Sequence, residues 1–85
     1  MNQPLNLNQP VSGFHGLIAR IGGDKALKRK LMSLGIRQGQ EISVLHQRKN
    51  GVVVFSNGSR VALGSGIAAN IFLEPLPDQY SEPQD

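Results

Sequence analysis

The chain has 85 residues, enough for one domain, and it contains no cysteine, so disulfides and thiolate metal sites are excluded. Its net charge of +3 conceals an asymmetry: all nine Lys and Arg lie between Arg20 and Arg60, where only two acidic residues occur. A basic body with an acidic C-terminus favours an anionic partner, either a protein or a nucleic acid.

The two ends of the sequence differ in composition from its middle. Residues 1–12 are rich in Asn, Gln and Pro and carry no charge, and residues 75–85 hold three of the five prolines. Both ends are predicted to be flexible tails, because they lack the apolar surface that offsets the entropy of ordering. A single folded domain is therefore expected over residues 13–74. Neither a signal peptide nor a membrane-spanning run is recognisable, which predicts a cytoplasmic protein.

The first predicted element is a strand over residues 14–21, which show a period-two pattern. The residues predicted to share its apolar face are Leu17, Ala19 and Ile21. The pair Gly22-Gly23 is expected to end this strand, because glycine in a strand interior weakens it.

A helix of about ten residues is predicted next, with Asp24 as its N-cap. Three leucines at spacings of four and three residues form one helical stripe, which is expected to cover an open end of the fold. They are Leu27, Leu31 and Leu34. Gly35 supplies the left-handed residue that stops the helix, and in a Schellman motif Ile36 folds back onto Leu31. Gly39 permits a tight turn directly afterwards.

The remaining sequence predicts an antiparallel meander. In the second strand, Ile42, Val44 and His46 alternate with Ser43, Leu45 and Gln47. The pairs Asn50-Gly51 and Asn57-Gly58 predict type I′ hairpins on either side of a third strand, because both residues of such a turn adopt positive φ. A fourth strand over residues 60–63, a helical turn capped by Ser65 and a fifth strand over residues 71–73 follow.

These elements predict a mostly β fold, namely a small SH3-like barrel of about five strands. One helix is inserted after the first strand, and a short second helical turn precedes the last. Closure into a barrel is expected because it removes the unpaired edges of short strands, which otherwise promote aggregation.

The segment GGDKALKRKLMSLGIRQG, residues 22–39, resembles the FeoA family. That family's pattern is a strand, a small-residue turn, a basic helix ending in leucines and a Leu-Gly-x-x-x-Gly turn, here formed by Leu34, Gly35 and Gly39. Residues 58–63 and 71–74 also resemble the family's last two strands. The chain departs from the pattern in its short Lys49-Asn50-Gly51 hairpin and in its uncharged Gly64-Ser65-Gly66 segment.

The resemblance implies an SH3-like barrel with a cytosolic accessory role in ferrous iron uptake. The implied partner is FeoB, a membrane permease with a cytosolic GTPase domain, which would recruit this protein to the inner face of the membrane. Similar modules occur at the C-terminal ends of metal-dependent repressors, where they make protein contacts.

Sequence patterns of catalytic or metal sites are weak. The only histidines are His15 and His46, and no cysteine accompanies them, so a zinc or ferrous site would lack matched ligands. The serines lie beside turns or helix ends, where local hydrogen bonds account for them. We therefore expect no catalytic residue, no cofactor and no metal site, and the protein is not expected to be an enzyme.

The basic helix and the turn after it form the predicted docking surface for a protein partner. Lys28, Arg29 and Arg37 are expected to steer an acidic partner. Leu31, Met32 and Ile36 are expected either to pack in the core or to anchor the partner, and Gly35 and Gly39 shape the turn. The other interpretation of these charges is an ordinary solvated surface.

Two alternative functions remain open from the sequence. One is a basic barrel that binds nucleic acid, although the cluster of Lys and Arg lacks interleaved aromatics and two of the three phenylalanines fit a barrel interior. The other is a dimerisation module related to the repressor-attached domains. Self-association through the Pro75-Leu76-Pro77 segment is a minor version of this second alternative.

Overall fold

The computed structural model describes residues 5–76. Within them the chain forms six antiparallel strands and two short helices. In chain order the elements are β1 (Leu5–Asn6), β2 (His15–Ile21), α1 (Lys25–Ser33), β3 (Glu41–Arg48), β4 (Gly51–Ser56), β5 (Ser59–Gly64), α2 (Ser65–Ala68) and β6 (Ile71–Pro75). The predicted mostly β, SH3-like architecture with one inserted helix and one helical turn is confirmed, with one strand more than expected.

The hydrogen-bonded strand order is β1-β6-β2-β3-β4-β5. Over residues 5–76, no ladder joins β5 to β1, so the predicted closure does not come from continuous strand pairing. Side-chain hydrogen bonds link the N-terminal segment to the region of α2 instead. Asn6 Nδ2 donates to the carbonyl of Ala69 at 2.6 Å, and Asn8 Nδ2 donates to the carbonyl of Ser65 at 3.0 Å.

Residues 5–12, here called the N-terminal arm, belong to the domain, so the predicted tail over residues 1–12 is wrong from Leu5 onward. Leu5 pairs with Leu73 of β6, and Leu7 is fully buried in the core. Gln47 Nε2 holds the arm in place by donating to the carbonyls of Leu7 at 3.0 Å and Pro10 at 2.8 Å. Residues 1–4 and 77–85, the rest of the two predicted tails, lie outside the described residues.

A β-bulge in β2 changes which of its residues enter the core. The pairing register between β2 and β6 shifts between Ile18 and Arg20, which leaves Ala19 as the extra residue. Ile18 is buried, whereas Leu17 and Ala19 are only half-buried. The predicted apolar face is therefore wrong for Leu17 and Ala19. Ile21 does pack against the core, because the bulge shifts the alternation after Ile18.

A second bulge has the same effect in β3. The register with β4 shifts between Val44 and His46, so Gln47 rather than His46 follows Val44 on the inner face. His46 is exposed, while the amide of Gln47 reaches the N-terminal arm. The predicted alternation through His46 is corrected accordingly.

The two hairpins differ in their turns. Asn57 has φ +54° and Gly58 has φ +79°, as the predicted type I′ turn requires. In the first hairpin Arg48 pairs with Gly51, so the turn residues are Lys49 and Asn50. Within residues 5–76, Asn57 is the only non-glycine residue with positive φ. The predicted type I′ turn at Asn50-Gly51 is therefore wrong in position and type.

Gly51 has a packing role in β4. A Cβ at this position would approach the carbonyl oxygen of Leu63 to 2.6 Å. Only glycine allows the two strand backbones to meet this closely.

The caps of α1 follow the prediction closely. Asp24 Oδ1 accepts a hydrogen bond from Leu27 N at 3.0 Å. At the other end Gly35 has φ +83°, and Ile36 N donates to the carbonyl of Leu31 at 2.9 Å, which is the long hydrogen bond of a Schellman motif. Leu31 and Ile36 are buried, but Leu34 is 37% exposed, so the leucine stripe is narrower than predicted.

The later elements differ from the prediction only at their ends. The N-cap of α2 is Gly64 rather than Ser65, and no side chain caps that helix. The last strand, β6, includes Pro75 instead of ending before it. Proline is tolerated at this place because β6 is ending there, so few ladder hydrogen bonds are lost.

Candidate docking surface

An open groove lies beside α1 and the turn that follows it. Its volume is about 170 Å³, and its lining residues are Ile21, Lys28, Met32, Ile36, Arg37 and Gln38. We call it the α1 groove. It combines an apolar floor with two cationic side chains, which is the composition of a small docking site for an acidic partner with an apolar anchor.

Local sequence explains how the α1 groove forms. Lys28 and Met32 are four residues apart in α1, so they lie one turn apart on the same face. The Schellman motif at Gly35 then reverses the chain and carries Arg37 back towards that face. The capping chemistry of the helix thereby positions the groove.

Four of the eight predicted docking residues line the α1 groove: Lys28, Met32, Ile36 and Arg37. Met32 is 58% exposed and is the prominent apolar side chain there. Ile36 is almost fully buried, so it forms part of the wall and packs in the core. Of the two roles predicted for these residues, anchoring suits Met32 and core packing suits Ile36.

The other four predicted residues are not part of the lining. Leu31 is fully buried in the core. Arg29 is exposed on α1 outside the groove. Gly35 and Gly39 have φ +83° and +87° and act through the backbone by shaping the turn. Their contribution is therefore to geometry rather than to a contact surface.

Two lining residues, Ile21 and Gln38, were missing from the predicted surface. Ile21 reaches the groove because it ends β2 just before the turn into α1. The alternation of β2 assigned it to the core face, and it does pack against the core, so its additional place in the groove lining had no separate signal in the sequence. No pattern in the sequence distinguishes Gln38.

In the described part of the chain, no intramolecular ion pair neutralises the cationic side chains around the α1 groove. Within residues 5–76, the one contact at salt-bridge distance joins His15 Nε2 and Glu41 Oε1 at 3.3 Å, and no lysine or arginine takes part in such a contact. The same residues contain nine basic side chains against three acidic ones: Asp24, Glu41 and Glu74. The described residues therefore carry an excess of positive charge.

The positions of the phenylalanines weaken the sequence-based argument against nucleic-acid binding. Phe55 is 45% exposed, and Phe14 and Phe72 are only half-buried. Arg20 stacks over the ring of Phe72 with its guanidinium carbon 4.4 Å from the ring centroid. Phe14 packs against the core, but none of the three phenylalanines is fully buried, so the expectation that two of them fill the interior is corrected.

The described residues contain no cluster of three or more His, Asp or Glu side chains that could hold a metal ion. His15 pairs with Glu41, and His46 is exposed on the bulged strand. Ferrous iron would thus have no ready-made set of ligands in this part of the chain.

Neither of the two helices in residues 5–76 has the length and apolar character needed to span a bilayer.

Comparison with known proteins identifies a family that matches this chain. The FeoA domain family matches residues 5–75, a range that includes the N-terminal arm. A protein of Methanocaldococcus jannaschii, named as a candidate Fe(2+) transport protein A, is 28% identical over 62 residues. The matched residues cover 73% of this chain and 76% of that protein.

Two solved structures are also similar. An iron uptake regulatory protein, FeoA, has a TM-score of 0.78 and 28% identity, and the match covers 84% of this chain and 96% of that one. A manganese-dependent transcriptional repressor has a TM-score of 0.80 and 28% identity over 89% of this chain. The match covers only 45% of the repressor, so the likeness concerns one part of that protein.

Proposed function

Because the chain belongs to the FeoA family, we propose that it is a non-catalytic accessory protein of ferrous iron uptake that docks on the cytosolic GTPase portion of the permease FeoB. The relative named for Fe(2+) transport and the similar iron uptake regulatory protein support the iron-related role. The protein would act in the cytoplasm and reach the inner face of the membrane through its partner.

The α1 groove is the observation that carries the docking proposal. Met32 offers an exposed apolar anchor, and Lys28 and Arg37 flank it with positive charge that no acidic group of residues 5–76 pairs with. Binding energy at protein interfaces concentrates in such anchors, while charges at the rim mainly accelerate encounter. Iron itself would be the cargo of the permease and would not need to bind this protein.

Reversing the two groove charges tests the docking site. The double variant Lys28→Glu with Arg37→Glu is expected to bind the GTPase domain with an association rate about 10-fold lower at low salt. The difference should shrink as salt rises, because exposed charges are screened. Surface plasmon resonance over a range of ionic strengths measures both effects.

The matched control reverses two charges outside the groove, Arg48→Glu with Lys49→Glu, and it changes the net charge equally. Its association rate should fall less than that of the groove variant. Equal rates for the two double variants at every salt concentration would show that only the total charge matters, and the α1 groove would not be the docking site.

A second candidate function is a protein-interaction module that brings two chains together. The likeness to part of a manganese-dependent repressor favours this candidate. The nucleic-acid alternative stays a prediction. Filter binding to single-stranded RNA at low salt checks it, because electrostatic binding to phosphates is strongest there.

A further inference from the structure

The strand β5 forms an edge of the sheet. Among residues 5–76 its only ladder is with β4, and the β4–β5 hairpin closes at the pair Ser56 and Ser59. In a two-residue type I′ hairpin this closing pair exchanges both backbone hydrogen bonds, and hydrogen-bonded pairs then alternate along the ladder. The amide and carbonyl groups of Val61 and Leu63 therefore point to β4.

The intervening residues of β5 point their backbone groups away from β4. They are Arg60, Ala62 and Gly64, and all three are exposed. Within the described residues, no backbone hydrogen bond outside the regular elements involves them. Gly64 is also the N-cap of α2, so its carbonyl accepts the first hydrogen bond of that helix. The three amides and the carbonyls of Arg60 and Ala62 thus form a row along one side of the strand.

This edge has little of the usual protection against strand pairing. Natural edge strands are blunted by charged side chains, especially lysine, by proline, by bulges or by very short length. β5 is six residues long, has an uninterrupted register with β4, and contains no proline or lysine, with Arg60 as its one charged residue. The opposite edge, β1, has only two residues. β5 is therefore the sheet edge that is available for pairing with an additional strand.

We propose that β5 pairs antiparallel with β5 of a second copy of this chain, about a twofold axis at Ala62. In this register Ala62 opposes Ala62 of the second copy, and Arg60 opposes Gly64. The amide of Ala62 then donates to the carbonyl of Ala62 in the second copy, and the amide of Gly64 donates to the carbonyl of Arg60. Repeated by the twofold axis, these contacts give four hydrogen bonds between the copies. The interface is isologous, as expected for a symmetric dimer.

The side chains fit the same register. Arg60 faces Gly64 of the second copy, which has no side chain, and a Cβ at Gly64 would meet no atom within 4 Å. The two Arg60 side chains lie four residues apart along the ladder, about 13 Å, so their repulsion is largely screened at physiological salt. Ala62 is small enough for close approach at the axis. This self-complementarity is what favours a second copy over an unrelated extended peptide.

The pairing is expected to be weak, because a strand edge buries less surface than a standard stable interface. Sedimentation velocity from about 10 µM to 1 mM should give a monomer–dimer equilibrium with a dissociation constant on the order of 0.1–1 mM. This monomer–dimer equilibrium does not depend on docking to the GTPase domain, so each of the two proposals can be contradicted without affecting the other.

Ala62→Pro is the decisive variant. Its proline removes an amide hydrogen that points away from β4, so the ladder within the chain keeps its hydrogen bonds. The dissociation constant should rise by about 10-fold or more, because two hydrogen bonds across the axis are lost. The matched control Ala62→Ser keeps the amide and should dimerise like the wild type. Circular dichroism establishes that both variants are folded.

Hydrogen exchange of the wild-type chain gives a test that needs no variant. The amides of Ala62 and Gly64 should exchange more slowly as concentration rises, while those of Val61 and Leu63 stay protected throughout. Strict monomers up to 1 mM would overturn the proposal. Protection of the outward amides that does not depend on concentration would also overturn it, because another part of the same chain would then cover the edge.

Discussion

Replacing Leu7 with alanine is expected to lower the free energy of unfolding by about 2–4 kcal/mol, the usual cost of removing a buried leucine side chain. Leu7 has no exposed surface, and its carbonyl accepts a hydrogen bond from Gln47. A domain of this size has a total stability of about 5–10 kcal/mol, so one substitution in the N-terminal arm should remove a large fraction of it.

Urea unfolding measures this effect, and Val11 in the same arm provides the control. Val11 is 74% exposed, so Val11→Ala should change the free energy of unfolding by less than about 0.5 kcal/mol. If Leu7→Ala were as harmless as Val11→Ala, the N-terminal arm would not be part of the core, and the tail predicted from its composition would be correct.

Replacing Met32 with aspartate is expected to weaken binding to the FeoB GTPase domain by about 30-fold or more. An anchor residue at the centre of an interface is worth about 2 kcal/mol or more, and a carboxylate there would also be desolvated without a partner. Because Met32 is 58% exposed in the free protein, the fold should tolerate the change. Calorimetric titration of the folded variant measures the loss.

Val11→Asp is the matched control for Met32→Asp. It introduces the same charge at another exposed apolar position, which does not line the α1 groove. Its affinity should stay within about threefold of the wild type, since exposed positions outside an interface contribute little. Equal losses in the two variants would locate the binding site elsewhere.

The features that the sequence predicted well depend on neighbouring residues. The Asp24 cap, the Schellman motif at Gly35 and the turn at Asn57-Gly58 are each encoded within a few positions. Since the α1 groove is built by that helix and its stop signal, Lys28, Met32 and Arg37 could be placed on one surface before the structure was seen.

The features that the sequence did not predict depend on distant contacts. Leu5 pairs with Leu73 across the whole length of the domain, and nothing in the polar composition around it indicates such a partner. The alternation of Leu5 and Leu7 is the one signal that could have suggested a strand. The bulges at Ala19 and Leu45 are likewise set by the neighbouring strands, so period-two reasoning chose the wrong faces.

The most direct test of the account is a calorimetric titration of the wild-type protein against the isolated GTPase domain of FeoB from the same cell. The account predicts a saturable complex whose affinity falls with Met32→Asp and stays nearly unchanged with Val11→Asp. No heat of binding and no complex, with both proteins folded and at concentrations up to about 1 mM, would contradict docking on this domain.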